Sequence, residues 1–167
     1  MISRITNSVL AGIFLVLLLS TTVLAADKQL YGTWRLVSFK RTVLATGETT
    51  ESFGKSPHGY INYDRDGRFL VMWVSEKRPK PTDLAKITDQ ERIELFKTMF
   101  AYGGTYTYDG KTLKQHIDIS WNENFTGTDS DREVKFEGNR LIITTPATPG
   151  AIDGKLHIAV MTWERVH

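Results

Sequence analysis

The chain contains no cysteine. That excludes disulfide staples, thiolate zinc sites, a thiol nucleophile, and the lipid anchor that needs a cysteine at a leader's cleavage site. Histidine is sparse. The four residues at positions 58, 116, 157 and 167 are too scattered to read as a metal-ligand motif. Basic residues form no block: 21 Lys and Arg stand interspersed among 19 Asp and Glu, for a formal charge of +2. With no aromatic-basic motif either, a nucleic-acid partner is not expected. Gly-x-Ser-x-Gly, P-loop, Rossmann and His-Glu-x-x-His patterns are all missing, so no motif-borne nucleophile, cofactor or metal is expected.

Long apolar runs are also scarce, and the one from Val9 to Leu19 has the setting of a leader. Arg4 precedes it, and Val23-Leu24-Ala25 follows Ser20-Thr21-Thr22. This is the charged, apolar and small-residue order of a signal peptide, cut after Ala25. An uncleaved anchor is the rival reading. A membrane span needs roughly 20 apolar residues, and the polar triplet leaves this run short. Residues 1–25 are therefore read as signal peptide and residues 26–167 as one domain, periplasmic or secreted by a bacterium, with no stable membrane anchor after cleavage. Without disulfides it must hold itself together by its core, and its length suffices for one.

What is abundant is alternation broken by turn pairs. Thr46-Gly47, Asp66-Gly67, Asp109-Gly110, Gly138-Asn139 and Asp153-Gly154 suit tight hairpin turns. Between them the spacing predicts strands over Gly32–Arg41, Glu48–Gly54, His58–Asp64, Arg68–Val74, Gly104–Tyr108, Thr112–Trp121, Ser130–Glu137, Arg140–Thr145 and Leu156–Arg165. Successive hairpins make an antiparallel meander. Closing it into a barrel removes the exposed edges, an open sandwich being the alternative. One helix interrupts. Thr88-x-x-Glu91 is a capping box, Ile93, Phe96 and Phe100 follow at helical spacing, and Gly103 with Gly104 can end it. Periodicity cannot separate a structural plug from a lid over a cavity.

Gly32-Thr33-Trp34 near the start and Trp163-Glu164-Arg165 near the end resemble the paired ends of lipocalin-like β-barrels. So do Pro57-His58-Gly59-Tyr60-Ile61-Asn62-Tyr63, Asp66-Gly67-Arg68, Tyr102-Gly103-Gly104-Thr105-Tyr106 and Gly127-Thr128-Asp129, which look like the bacterial lipocalin-like domain family. The resemblance implies an all-β, up-and-down barrel of about eight or nine strands with the helix inserted. It also implies that the terminal strands pair, with Arg165 lying over the Trp34 ring beside Gly32.

Within strands, alternation sorts side chains by face. Arg132 shares its face with Val134 and Phe136, so it points inward or to the strand's wet rim. Inward, it needs an acceptor, either an internal carboxylate or the acidic group of a ligand. On Thr112–Trp121, Leu113, Ile117, Ile119 and Trp121 share one face and Lys114, His116, Asp118 and Ser120 the other. If the polar set faces the interior, His116 and Asp118 are candidate catalytic groups, since His titrates near neutral pH; if not, it faces water. On Arg68–Val74, Phe69, Val71 and Trp73 share one face and Leu70 and Met72 the other, so one side fills the barrel and the other packs beneath the helix. Tyr60, Tyr106 and Tyr108 add aromatic walls, and Phe96 and Phe100 approach from the helix. A barrel of this size is either filled or holds one small ligand.

The function expected is binding of a small, mostly hydrophobic molecule in the barrel, through Tyr60, Phe69, Val71, Trp73, Phe96, Phe100, Tyr106, Tyr108 and Arg132. The alternative is an isomerase, cyclase or hydrolase acting on a lipid- or polyketide-like substrate in the same cavity. Oligomeric state stays open.

Overall fold

Residues 28–150 and 153–166 are described by the computed structural model, so the leader and its cleavage site lie outside the described residues. The strands are β1 (Gly32–Val43), β2 (Thr49–Thr50), β3 (His58–Tyr63), β4 (Arg68–Val74), β5 (Met99–Tyr108), β6 (Thr112–Ser120), β7 (Asp129–Glu137), β8 (Arg140–Thr144), β9 (Thr148–Pro149) and β10 (Leu156–Arg165). Helix α1 (Asp89–Lys97) lies between β4 and β5. Around the sheet the order is β1-β3-β4-β5-β6-β7-β8-β10, and β10 pairs back onto β1, closing an antiparallel eight-stranded barrel. The short β2 and β9 extend the outer edges of β1 and β10 beyond the ring. The closing seam runs from Trp34↔Arg165 to Val43↔His157.

Alternation builds the wall. In β3 and β4 every second residue is buried: Gly59, Ile61, Tyr63 and Phe69, Val71, Trp73. Each apolar side chain buried this fully contributes about 1.5–3 kcal/mol relative to exposure, and the interior cluster takes residues from every strand of the ring except the short extensions. Gly67, at φ 79°, makes the β3–β4 turn, where an L side chain would be strained. At the β5–β6 turn Asp109 accepts from the Lys111 and Thr112 amides at 2.9 and 2.7 Å. Those two amides hold its carboxyl below the usual carboxylate range, the Thr112 bond contributing most.

The two ends differ. One carries the tight turns 64–67, 109–111 and 138–139; the other carries the long connections 44–57, 75–98, 121–128 and 145–155. The tight end is the base, and it is plugged. The Arg165 guanidinium lies 4.0 Å from the Trp34 ring centroid and donates to the Tyr31 carbonyl at 2.7 Å and to the Gln29 carbonyl. Trp34 Nε1 donates to the Leu30 carbonyl at 2.9 Å. Gly32 keeps the corner open, because a Cβ there would stand 3.2 Å from Arg165 Nη1.

Four expectations need correction. Only Thr49–Thr50 of the predicted Glu48–Gly54 strand pairs; the Gly54 amide bonds back to the Glu51 carbonyl at 2.8 Å, turning the chain so that Phe53 tucks against Phe39. Helix α1 stops at Lys97 rather than running on to Gly103, because β4 captures the next residues in the pairs Val74↔Met99 and Trp73↔Phe100. Leu70 and Met72 do not pack beneath the helix; they are 64% and 56% exposed on the outer wall. Ile119 also faces out, 66% exposed. Its register against β5 slips at Asp118, with Gly104 opposite Ile117 and Gly103 opposite Ile119, and this bulge reverses the parity.

Candidate functional site

The base half of the barrel is solid. Trp34, Leu36, Ile61, Tyr63, Leu113, Leu141, Ile143 and Trp163 are all essentially buried, and Tyr63 meets Tyr106 edge to face at 4.9 Å. Gln115 is the buried polar residue of this region, its amide donating to the Tyr63 hydroxyl at 3.4 Å. Burial raises the Tyr63 pKa well above its ordinary value, with the nearby Arg132 charge pulling it partly back. Tyr63 is therefore a neutral phenol at physiological pH.

The mouth half is hollow. A cavity of about 330 Å³ opens between the long connections. Aromatic rings form one side: Phe39 from β1, Trp73 from β4, Phe100 from β5, and Trp121 and Phe125 from the connection after β6. They are mutually braced, with Trp73 and Phe100 stacked at 5.0 Å and Trp121 and Phe125 stacked at 5.5 Å. The opposite side is Thr145, Thr148, Pro149, His157, Ala159 and Met161. The depth can be read strand by strand. Tyr102, Ile117, Arg132 and Met161 line the cavity, while Tyr106, Gln115, Val134 and Trp163, deeper on the same strands, are buried below it.

Arg132 and Tyr102 therefore stand on the cavity floor. Arg132 Nη1 donates to the Tyr102 hydroxyl at 2.9 Å, and its Nε donates to Ser130 Oγ at 3.3 Å. Its guanidinium carbon lies 5.6 Å from the Tyr102 ring centroid. Among the described residues Arg132 joins no ion pair. Asp129, also at the rim, turns its carboxylate to His116 instead, 2.8 Å away.

Of the residues read as ligand-binding, Trp73, Phe100 and Arg132 line this cavity. Phe69, Val71, Tyr106 and Tyr108 are buried in the wall and base, 4%, 1%, 6% and 4% exposed, and do not line it. Tyr60 is 56% exposed on the outer wall, because its neighbours Gly59 and Ile61 take the inward parity. Phe96 is 47% exposed on α1, its ring 6.0 Å from Trp121 on the outside of the mouth. Phe100 arrives from β5, not from the helix.

His116 and Asp118 do come together, but outside the barrel. Both side chains are substantially exposed, with His116 Nε2 at 3.8 Å from Asp118 Oδ1 and Arg68 Nη2 at 2.8 Å from Asp118 Oδ2. Neither lines the cavity, so of the two readings of this strand the structure shows the polar set facing water. The two carboxylates approach opposite nitrogens of the imidazole, so the cluster cannot chelate one ion. It is a solvated ladder linking β4, β6 and β7, of a kind that contributes about 0–1 kcal/mol per pair.

Alternation reading missed Phe39, Tyr102, Ser130 and the mouth connection. Tyr102 shares its parity with Tyr106 and Tyr108, so that signal was present. Phe39 was hidden by a second bulge: the seam slips between Leu36 and Ser38, so Trp34 and Leu36 face inward on even numbers and Phe39 on an odd one.

A closed barrel with a plugged base and one open, aromatic-lined mouth defines a container class of fold. The chain belongs to the lipocalin-like domain family, whose sequence model matches residues 31–166. No curated protein matches it.

Proposed function

We propose that this protein binds a small, mostly apolar molecule in the mouth of its barrel after export from the cytoplasm. The observation that carries the reading is the split interior. The base is close-packed, yet about 330 Å³ stays open beside five aromatic rings, at the small end of the size range of ligand sites. Its mouth is framed by long connections, where binding residues tend to gather on a rigid scaffold. The lipocalin-like fold adds support by analogy alone.

The test is uptake of the neutral fluorescent probe N-phenyl-1-naphthylamine by delipidated protein. Saturable uptake is expected, and Ala159→Phe, which places a ring where a buried lining residue has one methyl group, should reduce it at least about tenfold without lowering stability by more than about 3 kcal/mol. Absence of uptake by the wild type overturns the proposal. For export, protein recovered from outside the cytoplasm should begin at Ala26.

A further inference from the structure

The polar floor of the cavity is rich in unspent hydrogen-bond donors. A guanidinium carries five N–H donors and no acceptor. Arg132 must therefore be the donor in both of its contacts, so the Tyr102 hydroxyl (2.9 Å) and Ser130 Oγ (3.3 Å) must both be acceptors. Each hydroxyl then keeps its own proton for another partner. Among the described residues none of the hydrogen bonds takes those protons, and Arg132 Nη2 has no acceptor. Three sets of N–H and O–H groups thus converge at the end of an apolar pocket, together with one uncompensated positive charge. Gln115 and Tyr63 lie below in the packed base, and the Asp129 carboxylate at the rim faces His116 through Oδ1 at 2.8 Å.

We infer that the bound molecule carries a single carboxylate, held on the floor by Arg132, Tyr102 and Ser130, with a compact apolar body among Trp73, Phe100 and Trp121. This rests on the proposed binding function and names the class of ligand. A carboxylate only accepts, so it can take a bond from each of the three groups at once. Its charge offsets that of a half-buried guanidinium, which the fold leaves without a carboxylate. A neutral amide of the same shape presents one acceptor oxygen in place of two and carries no charge to offset the guanidinium. A cationic ligand meets like charge.

The probes are 2-naphthoate and its neutral isostere 2-naphthamide, titrated by calorimetry into delipidated protein alongside N-phenyl-1-naphthylamine. The wild type should prefer the carboxylate by about tenfold or more, the range of a charge-assisted hydrogen bond. Arg132→Met should abolish the preference, lowering the acid's affinity far more than the amide's. Tyr102→Phe with Ser130→Ala keeps the charge and removes both hydroxyls, so several-fold of the preference should go; this pair carries the test if Arg132→Met does not fold. Equal wild-type affinity for acid and amide overturns the inference, as does equal loss of both in the variants. If the neutral probe binds but the acid preference is absent, this inference alone fails. If no probe binds, the binding function fails with it.

Discussion

Two arginines reach toward the barrel's interior, and their surroundings assign them opposite tasks. Arg165 is satisfied by backbone carbonyls at Gln29 and Tyr31 and by the Trp34 face, all within the protein. Among the described residues Arg132 meets two hydroxyls and, at 5.6 Å, the face of the Tyr102 ring. Arg165→Met should accordingly cost roughly 2–4 kcal/mol, the sum of a cation–π contact and charged hydrogen bonds lost from a partly buried site. Denaturant unfolding measures it, and a loss under about 0.5 kcal/mol would show that the plug does not hold the base. Both roles were partly legible beforehand. The Gly32, Trp34 and Arg165 triad was readable through the resemblance to lipocalin-like barrels, which implies that the two ends pair. The acceptors of Arg132 were not, since they come from the neighbouring Ser130 and from Tyr102 two strands away, and alternation says nothing about which inward residues meet.

At the scale of elements, turn chemistry carried the meander well, because Asp-Gly and Gly-Asn pairs impose their backbone locally. Bulges did not announce themselves. One additional residue at Asp118 or near Val37 leaves each short stretch alternating and reverses everything beyond it, which is why Ile119 and Phe39 came out on unexpected faces. Phe100 failed for a different reason. Spacing from Ile93 and Phe96 fits a helix, but pairing of Met99 and Phe100 with β4 outweighs it. Helix α1 has no buried residue, and its first turn rests on the reciprocal bonds between Thr88 and Glu91. The Glu91 carboxyl is held below its usual pKa by the Thr88 amide and then its hydroxyl. Thr88→Ala should therefore loosen the helix by itself: amide exchange over residues 89–97 rises about fivefold while the global unfolding midpoint hardly moves. A matching fall in global stability would mean that α1 is integral to the barrel.

For the molecule as a whole, the absence of disulfides makes the packed base responsible for stability, and Tyr63 sits within it. Burial raises its pKa well above 10.0, so the fold holds the phenol proton more tightly than the unfolded chain does. The corresponding stabilisation is fully present below the unfolded value, about 10, and is lost as pH rises through the folded one. Thermal midpoints should fall steeply above about pH 10, and Tyr63→Phe, although less stable at neutrality because Gln115 loses its hydroxyl partner, should show a shallower alkaline decline. An identical slope in both proteins would remove Tyr63 from the account.

The separation of the barrel's two ends has an evolutionary consequence. The buried plug sits among the tight turns, whereas the open cavity lies at the other rim, lined by the mouth ends of the strands and by the connections 121–128 and 145–155. Substitutions in the rim can accumulate without disturbing the seal at the opposite pole. Descendants of one ancestral chain are then free to diverge in that rim while inheriting the same architecture.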